Sequence, residues 1–142
     1  LLALGSAVVV SRRRERFEKE VGLARFVKAP ATARRELKAA RDSAAAGHGA
    51  AVCSSVSKAL IDFVGDRLKV GARGMTLTEL ADALRSAGAG EDLIDRVRRI
   101  LGECDLGRFA GDMGAVETER LLSEADECLR EIEKLSARRR RR

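Results

Sequence analysis

The sequence predicts an all-α fold, a compact bundle of about five helices. Three observations predict it. Ala, Leu, Arg and Glu dominate the 142 residues, with one Pro, no Trp or Tyr, and 3% aromatic content; such side chains lose little freedom on a helix. Strand patterning is nearly absent, and the one run of β-branched residues, Val8-Val9-Val10, lies in an N-terminal apolar stretch. Apolar residues recur at three- and four-residue spacing in five later segments. The length suits one domain with a modest core.

The chain opens with ten apolar or small residues, Leu1 to Val10, and then turns to Ser-Arg-Arg-Arg-Glu-Arg. Ten residues are about half of what a bilayer span requires. A signal peptide carries its positive charge ahead of the apolar stretch. Here the arginines follow it, where the positive-inside rule places the cytoplasm. The first residue is not Met, and the chain reads as a fragment. Residues 1–10 are expected to end a transmembrane helix, with Leu1, Leu2, Leu4, Val8, Val9 and Val10 as its anchor. The bundle would then follow that span. Residues 11–30 form a basic juxtamembrane segment built on Arg12, Arg13, Arg14 and Arg16. Phe17, Val21 and Ala24 share a helical face there, and Ala29-Pro30 is expected to interrupt the helix.

Residues 31–136 form the helical domain. Ala33, Leu37, Ala40 and Ala44 line a first domain helix, about 32–46, and Gly47-His48-Gly49 turns the chain. Val52, Val56, Leu60, Phe63 and Val64 line a second, about 50–69, closing a helical hairpin. After the loop 70–74, Thr76 and Glu79 spell a capping box ahead of an apolar run. The third helix, about 77–86, is expected to bury Leu77, Leu80, Ala81 and Leu84. The fourth, about 91–104, carries Leu93, Ile94, Val97, Ile100, Leu101 and Cys104 inward, with Glu91 and Asp92 at its positive end. A glycine-spotted loop over 105–114 would plug Phe109 into the core. The fifth helix, about 116–136, presents Leu121, Leu122, Ala125, Cys128, Leu129, Ile132 and Leu135. Residues 137–142 are read as an arginine-rich tail, its five arginines, 138–142, expected to be disordered.

The net charge is +6 and the pI about 9.8, which by itself suggests a polyanionic partner. The charge belongs to the ends. Outside Arg12, Arg13, Arg14, Arg16 and the five terminal arginines, the body from Phe17 to Ala137 holds 19 basic and 21 acidic residues, a net of −2. The three cysteines, Cys53, Cys104 and Cys128, are odd in number and widely spaced, and His48 is the only histidine. Neither a disulfide framework nor a zinc site follows from that pattern; a reducing compartment suits it.

No phosphate-binding loop, nucleophile elbow or metalloprotease motif is present. His48, between two glycines, reads as an idle exposed imidazole. Asp62 and Asp66, one turn apart, could in principle serve acid–base work, but they read as a polar face with Lys58, Arg67 and Lys69. No catalytic, cofactor-binding or metal-ligating residue is assigned, no cofactor is expected, and the chain is not read as an enzyme. Residues 76–84, a glycine turn and the next helix look like a helix-turn-helix. The leading residues of its second helix include Glu91, Asp92 and Asp95, which phosphates would repel. A nucleic-acid-binding domain using its basic tails is kept as the alternative.

The order of motifs resembles the C-terminal region of the BatD family of bacterial aerotolerance (oxygen tolerance) membrane proteins. The residues that carry the likeness are an apolar stretch and arginines, then Ser57-Lys58-Ala59-Leu60-Ile61-Asp62-Phe63-Val64-Gly65-Asp66-Arg67-Leu68. Met75-Thr76-Leu77-Thr78-Glu79-Leu80 and Cys104-Asp105-Leu106-Gly107-Arg108-Phe109-Ala110 follow. The likeness covers about 1–135 and rests on order and spacing. It implies a bacterial inner-membrane protein with this region on the cytoplasmic side. The partners it implies are von Willebrand A-domain membrane proteins and a MoxR-type AAA+ ATPase. The expected function is a membrane-tethered protein-interaction domain.

Overall fold

The structure, a computed structural model, describes residues 2–110 and 114–141, with side chains over 9–107 and 114–141. The described residues form five α-helices and no strand: α1 (Leu2–Ala45), α2 (Gly49–Leu68), α3 (Leu77–Ser86), α4 (Glu91–Ala110) and α5 (Ala115–Arg141), with a 3-10 turn at Ala72–Gly74 between α2 and α3. The all-helical bundle is therefore the fold, although several boundaries differ from the expected ones.

α2 is the central element, packed against α1, α4 and α5. Its stripe of Val52, Val56, Leu60, Phe63 and Val64 is buried, and so are Cys53 and Leu68. Ala29, Ala33, Leu37 and Ala40 of α1 are buried in the same core; the three alanines leave room for the larger side chains of α2, as in ridges-into-grooves packing. Ile94, Val97, Ile100 and Cys104 of α4, with Leu121, Leu122, Ala125, Cys128 and Ile132 of α5, close the other side. Lys69 takes a left-handed conformation (φ 56°) to end α2, and its N–H donates to the Gly65 carbonyl. Gly88, at φ 96°, turns α3 into α4, a conformation that glycine adopts without a Cβ penalty.

The capping box at α3 is present. Glu79 N–H donates to Thr76 Oγ1 (3.2 Å), and Thr76 N–H donates to Glu79 Oε2 (2.8 Å). Leu77, expected inside, is instead 37% exposed, while Leu80, Ala81 and Leu84 are buried. As the first helical residue it precedes the turn that meets the core.

Three other expectations are corrected. α4 continues through residues 105–110, where a loop was expected. A glycine costs a helix about 1 kcal/mol and does not end it when its neighbours favour helix, so Gly107 is carried within the last turns. The consequence is that Leu106 is 72% exposed. Phe109 lies outside the residues whose side chains are described. α5 runs through Arg138 to Arg141, which were expected to be unstructured. Arginine is a good helix former, and positive charge suits the negative end of the helix dipole.

The third correction is the largest. α1 does not break at Ala29-Pro30 but runs 44 residues with Pro30 inside it. A proline removes the N–H that would serve the carbonyl four residues earlier and pushes that carbonyl aside. Here that group is the Phe26 carbonyl, and Arg67 Nη1 of α2 donates to it at 3.1 Å. A neighbouring helix thus supplies the donor that Pro30 lacks.

Candidate functional site

The N-terminal part of α1 is an arm. Every residue from Val9 to Glu20 is exposed, while Phe26 and Ala29 are buried against the bundle. Of the expected anchor residues, Val9 and Val10 are exposed at 51% and 64%. Leu2, Leu4 and Val8 lie on the α1 backbone, and Leu1 is outside the described residues. Arg12, Arg13, Arg14 and Arg16 are all exposed, and Arg14 Nε stands 3.5 Å from Glu18 Oε1. Phe17 (67% exposed) lies among them. Among the described residues no helix is long and apolar enough to cross a membrane.

A groove of about 930 Å³ lies between this arm and the end of α2. Gly22 and Arg25 of α1, Asp62 and Asp66 of α2, and Arg73 of the 3-10 turn are among its lining residues. The two aspartates flagged by their spacing do share it, but their partners are structural. Arg73 grips Asp62 with Nε at 2.9 Å and Nη2 at 3.3 Å, and Lys58 stands 3.5 Å from Asp62. Burial raises the Asp66 carboxyl above its usual range, opposed by Arg25 and Arg73 and reinforced by Asp62. No hydroxyl, thiol or imidazole is among the lining side chains except the Thr32 hydroxyl, so no nucleophile–base pair is assembled. His48 is exposed at the start of α2 and makes no side-chain cap. Among the described residues, no group of three or more His, Cys, Asp or Glu could hold a metal ion.

The most organised polar feature is one that the sequence pattern misassigned. Arg67, placed on the polar face with Lys58 and Lys69, is 9% exposed. Its guanidinium donates to Ser136 Oγ (2.8 Å), the Phe26 carbonyl (3.1 Å) and the Glu133 carbonyl (3.3 Å), and it stacks 3.8 Å from the centroid of the Phe26 ring. One side chain of α2 therefore ties α1 to α5. Burial pulls its pKa below the ordinary arginine value, with Glu133 opposing and Arg140 adding to the shift. An arginine still stays protonated at any physiological pH. A signal was available: Leu60, Val64 and Arg67 lie at helical spacing, so Arg67 falls on the apolar stripe. Lys69 and Arg140 also approach the Phe26 ring, at 5.9 and 5.3 Å.

In the α3–α4 pair, the basic residues available to a phosphate backbone are largely committed. Arg85 pairs with Asp82 and Glu91, both at its own end of the turn. Arg96 pairs with Asp92 and Glu131, and Arg99 with Glu124. Asp95 is exposed near the start of α4.

No protein-family model, no curated protein and no solved structure matches this chain.

Proposed function

We propose that this chain is a membrane-tethered cytoplasmic protein-interaction domain, of the kind found at the C-terminal end of BatD-like aerotolerance proteins. Its role is contact and not catalysis. The partners that fit this reading are von Willebrand A-domain membrane proteins or a MoxR-type AAA+ ATPase. The observation that carries the tether is the arm of α1. Its sequence passes from apolar (residues 2–10) to arginine-rich (12–16) on one helix that enters the bundle only near Phe26. That order is the one the positive-inside rule gives to a helix leaving a membrane on the cytoplasmic side. A nucleic-acid-binding domain remains the second reading, favoured only by the two exposed arginine runs.

Reporter fusions test the placement. In the parent membrane protein, a reporter active only in the cytoplasm and fused after Ser136 is expected to be active, and a periplasm-dependent reporter at the same point silent. The reverse pattern overturns the topology and the partners with it. Capture of the ATPase from solubilised membranes by the tethered protein, lost when α3 to α5 are deleted, supports the partner assignment.

A further inference from the structure

The two arginine runs lie at opposite ends of the sequence, but the fold brings them to one side of the molecule. Pro30, Ala33 and Arg34 of α1 border the same small cavity as Asp126, Leu129, Arg130 and Glu133 of α5. Further along, Arg67 joins the Phe26 carbonyl to Ser136, and Arg140 reaches the Phe26 ring. Rising residue numbers in α5 thus meet falling numbers in α1. The helices are antiparallel, and α5 ends at Arg141, with Arg140 beside the base of the arm at Phe26. On α1, Arg12, Lys19 and Phe26 recur every seven residues, which on a helix drifts by only about 20° per step. Arg12 and Lys19 therefore project from the side of α1 to which Arg140 comes, as does Glu15, eleven residues before Phe26 and about 20° off its direction; the strip stays basic because four arginines of α5 join it. Residues 11–28 hold seven basic and three acidic residues, and 134–141 five basic and none acidic. Residues 29–133, by contrast, hold 15 basic and 19 acidic.

We propose that this composite strip, Arg12 and Lys19 of the arm with Arg138 to Arg141 of α5, is a binding surface for anionic phospholipid headgroups. The inference rests on the membrane-tether reading and adds an orientation to it. If the arm stood upright with Val10 at headgroup level, Arg140, level with Phe26, would stand about 24 Å out at 1.5 Å per residue. Attraction to surface charge fades over about 8 Å at physiological salt. The α5 arginines therefore engage the bilayer only when the arm inclines, and their engagement holds it inclined, with the bundle against the surface. A lipid surface fits the strip better than a nucleic acid. The strip begins beside the apolar stretch of residues 2–10 on the same helix, an arrangement that suits an interface between apolar and charged layers.

The test is flotation of the 142-residue chain with vesicles of phosphatidylcholine, with and without phosphatidylserine, at physiological salt. Each basic residue at headgroup level strengthens binding by on the order of fivefold. The combined variant Arg138→Gln, Arg139→Gln, Arg140→Gln, Arg141→Gln is expected to bind anionic vesicles at least about tenfold more weakly, with its helix content by circular dichroism retained. Arg12→Gln with Lys19→Gln is expected to weaken binding in the same direction. If the α5 variant binds anionic vesicles as tightly as the unaltered chain, the inclined arrangement is wrong. Equal binding to both vesicle types overturns the headgroup site while leaving the apolar tether in place. Tighter binding to a short DNA duplex, with the same arginine dependence, overturns it in favour of a nucleic-acid surface. The reporter fusions judge the tether independently of all three results.

Discussion

If Arg67 substitutes for the N–H that Pro30 lacks, the two residues must be energetically coupled, and a double-mutant cycle measures the coupling. Arg67→Met keeps an apolar stem and removes the charged head. Three charge-assisted hydrogen bonds are lost, each contributing about 1.5–3 kcal/mol. The buried guanidinium's desolvation penalty, several kcal/mol, is recovered at the same time. These two largely offset. Ser136 Oγ keeps a bond to the Glu133 carbonyl at 2.9 Å, so the uncompensated loss is the Phe26 carbonyl, about 1–3 kcal/mol, and the guanidinium–ring contact, about 1 kcal/mol. The expected net cost is about 2 kcal/mol, less than the sum because the methionine stem still packs on the ring. In a Pro30→Ala background, the alanine's own N–H serves the Phe26 carbonyl and the same Arg67 substitution costs about 1 kcal/mol, a coupling of about 1 kcal/mol. Pro30→Ala alone raises stability, by less than the roughly 3 kcal/mol helix penalty of proline because the unfolded chain gains freedom. Urea unfolding followed by circular dichroism at the helical band reads all four species. Additivity within about 0.5 kcal/mol would refute the substitution argument.

Two further outcomes follow from the core and its caps. Thr76→Ala removes the acceptor for the Glu79 N–H and is expected to cost about 1 kcal/mol; an unchanged denaturation midpoint would mean that the capping box contributes nothing. Cys128 is fully buried, and burial pushes its thiol up to about 11, with Arg96 opposing. The unfolded thiol ionises near its ordinary value of 9.0, so the stability this burial contributes is complete below that pH and is lost as pH rises toward the folded value. Alkylation of Cys128, read by peptide mass spectrometry at pH 8, is expected to be at least tenfold slower in the folded protein than in urea, a rate that tracks thiolate and exposure.

The bundle was legible because its helices bury apolar stripes at regular spacing. The residues named from periodicity in the second, fourth and fifth domain helices are buried, Leu135 being half-buried, and the capping box lies where Thr76 and Glu79 place it. Errors fell where a local signal was overridden by a distant residue. Pro30 reads as a helix stop when only its neighbours are considered, and it is retained because Arg67, 37 positions away, serves the orphaned carbonyl. Arg67 itself was misread because its type outweighed its place on the stripe. The continuation of α4 past Cys104 and of α5 into the arginines shows the converse, since composition had suggested loop or tail where the backbone had no reason to leave the helix. The convergence of the arginine runs was not legible at all. It depends on α5 running antiparallel to α1, which no periodicity encodes.

Continuity at Pro30 also decides what the arm can do. A hinge there would let the bundle tumble on its stem, and charges on α5 would have no fixed relation to charges on α1. With the Phe26 carbonyl held by Arg67, α1 is one continuous helix, about 66 Å of rise at 1.5 Å per residue. Its entry into the bundle is fixed by the contacts of Phe26, Arg67 and Ser136. A tilt imposed at the apolar end therefore turns the whole bundle, and a contact made by the α5 arginines acts back on the arm. Loosening that junction should separate the two effects: Arg67→Met would leave every basic residue of the strip in place yet weaken the dependence of vesicle binding on Arg138 to Arg141. If that dependence were unchanged in a variant shown to be destabilised, the arginines would be acting as an independent tail, and the rigid junction would have no part in orienting the domain.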